Sequence, residues 1–254
     1  MHQPTMRVLH IMELICTTSR GLRLSDISRE LGIPKTTLLP ILQTLCATHY
    51  LTQNAYGQYN AGTALFSMGA SFSGCFPLLK YVREQLTALV GDLGETCYFG
   101  VLDGADVLYL DKVESPQPLR MLTSTGRKLP AYATSIGKAL LLQKSYETLC
   151  QMYPSGLSPI TSRTITELPV LYAQLQEGLA SGYAWEVEES TEHIRCFAVP
   201  ITKNGVIIAS ISVAIPLFRY QDDEKHRYIS TLQSYAYQIS KVIEQTDAHF
   251  GEVF

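Results

Sequence analysis

Residues 22–45 read LRLSDISRELGIPKTTLLPILQTL, and this stretch predicts two short helices joined by a tight turn. Ser25 is of the residue type that caps a helix N-terminus, and Gly32 supplies the permissive backbone that ends a helix. Pro34 can open the next helix, because a first turn makes no use of the missing N–H. The order of helix, glycine-containing turn and helix is typical of a helix-turn-helix motif.

The second of these helices has one apolar and one polar face. Apolar residues recur at i, i+3, i+4 and i+7, which predicts a stripe that packs on a core: Leu38, Ile41, Leu42 and Leu45. Lys35, Thr36 and Thr37 lie at its start, where free N–H groups favour phosphate and where a recognition helix meets base edges. Ordinary packing in a helical bundle would produce the same pattern, so both interpretations stay open here.

A predicted hairpin follows the two helices. Residues 50–53 and 58–60 alternate as strands do, and residues 54–57 (Asn-Ala-Tyr-Gly) have the composition of a turn. A further helix precedes the motif, with one apolar face formed by Val8, Ile11, Met12 and Ile15. Three helices and a hairpin predict a winged helix, which favours DNA binding over ordinary packing.

The charge of the chain is unevenly distributed. The 254 residues have a net charge of −3, yet residues 1–61 hold five Lys and Arg against three Asp and Glu, a balance of +2. A mildly basic head on an acidic remainder fits a DNA-binding module joined to a second domain. Because +2 is small for an electrostatic binder, we expect two or more heads to act together in a homo-oligomer.

Composition predicts a globular intracellular protein. Hydrophobic residues make up 46% of the chain and charged residues 17%, enough for a substantial core in one large or two modest domains. The six cysteines are scattered without metal-type spacing, as expected of cytosolic thiols. The longest uncharged apolar stretch, residues 205–218, is too short to span a bilayer, so we expect a soluble cytoplasmic protein.

The second half of the chain predicts an α+β domain. Residues 63–74 are helix-like and rich in small residues, and we place the domain boundary near residue 75. Strands are predicted as two hairpins and one further segment: residues 96–113, 194–215 and 119–123. Helices are predicted at residues 79–93, 133–142, 168–180 and 222–244, with a short one capped by Ser145. This pattern indicates an antiparallel sheet flanked by helices.

Two long segments carry a family resemblance. Residues 129–142, LPAYATSIGKALLL, and residues 182–201, GYAWEVEESTEHIRCFAVPI, resemble the effector-binding domain of IclR-type bacterial transcriptional regulators. The N-terminal segment resembles the winged helix of the same family. The resemblance implies a winged helix-turn-helix at residues 1–61, a linker helix at 62–75, and an effector-binding and oligomerisation domain with a profilin-like or GAF-like antiparallel sheet at 76–254.

The resemblance also implies a function. It indicates a transcription factor that is a dimer or a dimer of dimers and that binds double-stranded operator DNA and a small metabolite. In this family, repression is more common than activation. The predicted DNA contacts lie on the two helices of the motif: Ser25, Lys35, Thr36, Thr37 and Leu38. By similarity, the effector pocket is lined by Met121, Leu129, Ser135, Ile136, Glu186, Ile194, Cys196 and Ser212.

The predicted pocket suits a small organic acid. Residues 133–138 gather hydroxyls and backbone N–H groups at a helix start, which favours a carboxylate without a dedicated cation. Apolar walls with a few polar anchors are usual in small-molecule sites. The alternative is that Ser135 only caps a helix and that Cys196 and Ser212 are small core residues.

Two features of the predicted DNA-binding domain depart from the family pattern. Pro40 lies in the recognition helix, where it removes the hydrogen bond to Thr36 at a cost of about 3 kcal/mol, so we expect a bent helix or an irregular first turn. Gln58 and Asn60 replace basic residues of related wings. These departures keep open a metabolite sensor that does not bind DNA.

A Cys/His-dependent enzyme is the remaining alternative. His193 and Cys196 lie close in sequence, and such a pair can do nucleophilic chemistry. Residues three apart on a strand face opposite sides, however, so pairing requires a bend. A metal site formed with Cys97 lacks supporting spacing. We therefore expect no enzyme, cofactor or metal.

Overall fold

The chain divides after Pro77 into two structural units. The computed structural model describes residues 1–18, 20–74, 77–118 and 125–245. The first unit, the head, spans Met1–Pro77, and the second, the body, spans Leu78–Phe254. Within these described ranges, no helix is both long enough and apolar enough to cross a bilayer.

The head is a winged helix. Its elements are α1 (Gln3–Thr17), β1 (Leu22–Arg23), α2 (Leu24–Leu31), α3 (Lys35–Ala47), β2 (Leu51–Gln53), β3 (Gln58–Ala61) and α4 (Thr63–Gly74). The first three helices share an apolar core in which Ile11, Ile27 and Leu42 are fully buried. The strands form a small antiparallel sheet in the order β1-β3-β2, and Asn54 closes the wing by accepting two backbone N–H groups. The predicted three helices and hairpin are confirmed.

The start of α2 differs from the prediction. Pairing of β1 with β3 keeps the chain extended up to Arg23, and the helix begins directly after it. Arg23 is the N-cap residue, and its backbone N–H donates to the carboxylate of Asp26 at 3.1 Å. Ser25 lies inside the first turn, so its prediction as the cap is wrong. The helix ends as predicted at Gly32, which has a φ of 64°.

The helix α3 continues through Pro40 without interruption. It begins one residue after Pro34, which is its N-cap. The N–H of Leu38 donates to the carbonyl of Pro34 at 3.1 Å, so the first turn is hydrogen-bonded and the expectation of an irregular one is wrong. Pro40 itself has no N–H for the carbonyl of Thr36, and its side chain is exposed.

The body is built on one six-stranded antiparallel sheet. Its elements are α5 (Pro77–Leu93), β4 (Thr96–Asp103), β5 (Asp106–Val113), β6 (Lys128–Pro130), α6 (Ser135–Leu141), α7 (Tyr146–Met152), α8 (Leu168–Ser181), β7 (Ala184–Val187), β8 (Ile194–Lys203), β9 (Val206–Pro216) and α9 (Lys225–Gln245). The strand order is β6-β5-β4-β9-β8-β7. One face is covered by α6 with α8 beside it, and the other by α9. The predicted α+β class is confirmed.

Both edge strands of this sheet were missed by sequence analysis. The edges are β6, with three residues, and β7, with four. Runs this short offer too few alternations to identify a strand, and short edges are common because they limit pairing with other chains. The further strand predicted at residues 119–123 lies outside the described residues.

The helix α6 approaches the preceding 3-10 turn (Ala131–Ala133) so closely that only glycine fits at residue 137. A Cβ on Gly137 would lie 2.3 Å from the carbonyl oxygen of Ala131. Thr134 caps the helix, because its hydroxyl accepts the N–H of Gly137 at 3.0 Å. All seven residues of α6 are buried, including the polar Ser135 and Lys138.

Replacement of Gly137 by Ala should destabilise the body by about 1–3 kcal/mol, because the added methyl group must displace backbone atoms. The matched control is Gly91→Ala in α5, where nothing lies within 4 Å of the added Cβ. This control should stabilise the helix by about 0.5–1 kcal/mol. Denaturant unfolding followed by circular dichroism measures both, and equal stabilities would contradict the packing argument.

Candidate functional site

The predicted DNA contacts divide between the surface and the core of the head. Ser25, Lys35 and Thr36 are exposed, and Thr37 is half-buried. Leu38 is fully buried in the head core, so it cannot reach a base edge and its prediction as a DNA contact is wrong. The apolar periodicity that identifies the helix includes Leu38 and already directs it inward.

The N-terminus of α3 carries a local positive charge. Across the described part of the chain, no carboxylate pairs with Lys35. Arg29, by contrast, lies 3.2 Å from the carboxylate of Asp26, which offsets its charge. The first turn of α3 holds no acidic residue, so its free N–H groups and the Lys35 ammonium together favour a phosphate.

Seven of the eight predicted effector residues are described, and all lie on or against the sheet face that α6 covers. They are Leu129, Ser135, Ile136, Glu186, Ile194, Cys196 and Ser212. Met121 lies outside the described residues. The register explains the convergence of the strand members: Glu186 lies directly opposite Cys196, and opposed residues of antiparallel strands project to one face.

A buried polar cluster lies within this apolar face. Cys196 lies within hydrogen-bonding reach of both the Glu186 carboxyl and the Ser135 hydroxyl. Glu186 is 0% exposed and also accepts the backbone N–H of Glu189 at 2.7 Å. Burial raises the pKa of Glu186 to about 7, because an ionised carboxylate is poorly solvated there. Near neutral pH this carboxyl can therefore donate a hydrogen bond as well as accept one.

Cys196 and His193 do not form a catalytic pair. His193 precedes β8 with 85% of its side chain exposed, whereas Cys196 is buried. Burial and the adjacent Glu186 raise the pKa of the Cys196 thiol well above its ordinary value, which disfavours the nucleophilic thiolate. The register of β9 with both neighbours directs Cys97 to the opposite face of the sheet. Where the chain is described, no three His, Cys, Asp or Glu residues are placed to hold a metal.

Sequence analysis missed the charged residues behind this cluster. Lys138 has 1% of its side chain exposed, and its Nζ donates to Glu189 Oε1 at 2.5 Å and to Gln174 Oε1 at 2.7 Å. Because this cation is already paired with Glu189, the expectation that the acid needs no dedicated cation stays a prediction. The available signal was a lysine set against the apolar residues 139–142, because a buried charge requires a partner.

A cavity of about 420 Å³ opens beside this ion pair. It is lined by Arg163, Gln174, Trp185, Val187, Glu188 and Glu189. Gln174 and Glu189, the two partners of Lys138, line this cavity. Trp185 is the only tryptophan in the sequence, and its fluorescence therefore reports on this part of the body.

Family models match both units of the chain. The model for the bacterial transcriptional regulator IclR C-terminal domain matches residues 75–241. The model for the IclR helix-turn-helix domain matches residues 4–55. The two matches cover the winged helix of the head and nearly all of the body.

Relatives and solved structures match along most of their lengths. KdgR of Dickeya chrysanthemi, an HTH-type transcriptional regulator, is 30% identical over 91% of this chain and 77% of its own. The transcriptional repressor IclR of Escherichia coli (strain K12) is 30% identical over 87% of this chain and 82% of its own.

Two structures show the same fold. An IclR transcriptional regulator from Alicyclobacillus acidocaldarius has a TM-score of 0.85 at 23% identity, over 95% of this chain and 98% of that one. An IclR homologue from Microbacterium hydrocarbonoxydans, complexed with 4-hydroxybenzoate, has a TM-score of 0.83 at 21% identity. The match covers 96% of this chain and 100% of that one.

The family match agrees with the geometry of both units. The head exposes a polar helix start, as DNA binding requires, and the body encloses a polar cluster whose thiol is not activated. The chain belongs to the IclR family of bacterial transcriptional regulators, and it is a DNA-binding regulator with a C-terminal effector domain rather than an enzyme.

Proposed function

We propose that this chain is a repressor whose affinity for its operator is set by a small organic acid. The observation that carries the proposal is the buried cluster of Glu186, Cys196 and Ser135, which places hydrogen-bonding groups among apolar walls. The acid occupies the sheet face covered by α6. The name of the Escherichia coli relative, a transcriptional repressor, supports repression.

The proposal assigns a role to each part of the chain. Residues 1–61 bind double-stranded operator DNA, and residues 76–254 bind the acid and form the oligomer. Residues 62–75 are the linker between these two domains. A head charge of +2 is small, so at least two heads of a homo-oligomer bind one operator. Acid binding changes the spacing of the heads through the linker, and a coupling of about 1–3 kcal/mol is enough for regulation.

An organic acid suits the charges of the site. Lys138 and Glu189 neutralise each other, and Glu186 keeps its proton up to a pH of about 7, so little net charge opposes a carboxylate there. Leu129, Ile136 and Ile194 supply apolar walls. The 4-hydroxybenzoate in the Microbacterium hydrocarbonoxydans homologue is itself an organic acid, which supports the ligand class.

Replacing Thr36 and Thr37 together by Ala should weaken DNA binding roughly tenfold per head, because each lost hydrogen bond contributes about 0.5–1.5 kcal/mol. The matched control replaces Thr44 and Thr48, exposed threonines at the other end of α3 whose hydroxyls bond to helix carbonyls. Fluorescence anisotropy with a labelled fragment from upstream of the protein's own gene measures both. Unchanged affinity in the Thr36/Thr37 variant would remove these residues from the interface.

Acid affinity should depend on pH through Glu186. Below a pH of about 7 its carboxyl is protonated and affinity is constant; above it, the carboxylate repels the acid and affinity falls about tenfold per pH unit. The facing groups do not reverse this trend, because the Cys196 thiol stays protonated and Lys138 stays paired with Glu189. Titration of keto acids and sugar acids at several pH values, followed by Trp185 fluorescence, measures the effect.

Glu186→Gln is the control for this dependence. The amide has nearly the same shape and cannot ionise, so its acid affinity should stay constant as the pH rises through 7. An unaltered fall in the Gln variant would show that another group controls the pH dependence.

A further inference from the structure

Lys138 is the one buried Lys or Arg among the residues described, and it lies behind the proposed acid site. Its ammonium reaches Glu189, 51 positions along the chain in the turn between β7 and β8. It also reaches Gln174 on α8. One side chain of α6 thus joins three separate segments of the body.

Glu189 connects this ion pair to Glu186. Its backbone N–H donates to Glu186 Oε2 at 2.7 Å. One oxygen of its own carboxylate accepts from Lys138, and the other accepts the N–H of Ile165 at 3.4 Å. Its carbonyl accepts the hydroxyl of Thr164 at 2.7 Å. A displacement of Glu189 would therefore displace the donor that orients the Glu186 carboxyl.

The turn that carries Glu189 requires contacts from outside. Glu188 and His193 have φ values of 59° and 61°, in the left-handed region that residues with a Cβ avoid. The hydroxyl of Thr161 donates to the carbonyl of Glu188 at 2.5 Å, which anchors one side. Lys138 supplies the charged anchor from the side of α6. These two contacts hold the turn from outside, in addition to its internal hydrogen bond from the His193 N–H to Glu188 Oε1.

We infer that Lys138 and Glu189 are positioning residues of the acid site, whose ion pair holds the Glu186 carboxyl where it receives the acid. This inference rests on the proposed function of that site. The pair acts through the backbone N–H of Glu189 and does not need to touch the acid. Through Gln174 the same contacts join the site to α8.

Stability and positioning can be separated at a buried ion pair. The desolvation of two charges largely offsets their attraction, so an apolar pair of similar volume often folds as stably. Removal of one partner alone leaves an uncompensated buried charge and destabilises the fold. A double apolar variant therefore retains the packing while it removes the charged anchor of the turn.

The test measures acid affinity and thermal stability in Lys138→Met/Glu189→Leu, made in the full chain. The probes are pyruvate, gluconate and 4-hydroxybenzoate, and calorimetry selects the one that the wild-type protein binds most tightly. The variant should unfold close to the wild-type temperature and bind its DNA fragment normally. It should bind the acid about tenfold more weakly or worse, as the loss of an outer-shell partner typically causes.

A matched pair of single variants keeps the inference testable if the double variant does not fold. Glu189→Gln and Glu95→Gln each remove the charge of a buried carboxylate that is paired with a cation; Glu95 accepts from the half-buried Arg219 at 2.6 Å, on the side of α9. Both should lower stability, and only Glu189→Gln should weaken acid binding.

Three results would overturn the inference. They are wild-type acid affinity in a folded double variant, equal acid affinities in the two Gln variants, and no binding of any probe by a wild-type protein that still binds DNA. The third result removes the proposed acid effector itself, so it is distinguishable from the first two.

Discussion

The missing side chain at residue 137 is the constraint on which the body depends. It lets α6 lie against both the preceding turn and the sheet, and so the whole helix is buried. Burial then requires partners for the polar atoms that α6 carries inward. Ser135 meets Cys196, which also meets Glu186, and Lys138 meets Glu189 and Gln174. The polar side chains of the site are therefore buried because the backbone of α6 lies so close to the backbone of the preceding turn.

The same burial accounts for what the site can do chemically. It raises the pKa of the Cys196 thiol and that of the Glu186 carboxyl, because both charged forms lose their solvation. A thiol that stays protonated is a poor nucleophile, whereas a carboxyl that stays protonated is a hydrogen-bond donor. One physical effect thus disfavours nucleophilic catalysis and leaves a hydrogen-bond donor for the acid that we propose.

The head and the body use helix starts in opposite ways. In α3 the polar residues of the first turn face outward, and its apolar stripe, which includes Leu38, fills the head core. In α6 the first turn is enclosed by the sheet. The exposed start suits a large charged partner such as a phosphate backbone, and the enclosed one suits a small molecule.

The sequence by itself determined the helices and the short hairpins, because their hydrogen bonds join residues that are near each other in the chain. The three head helices, the wing and the long body helices follow from apolar periodicity, and Gly32 and Asn54 mark their ends and turns. The resemblance to the family also singled out the residues that we propose for the acid site, and the register of the strands brings those on β7, β8 and β9 together. Only the tertiary structure decided that β1 pairing moves the cap of α2 to Arg23 and that short edge strands complete the sheet. It also decided the pairing of Lys138 with Glu189, because a contact across 51 positions leaves no local pattern and depends on how α6 packs against the turn between two strands.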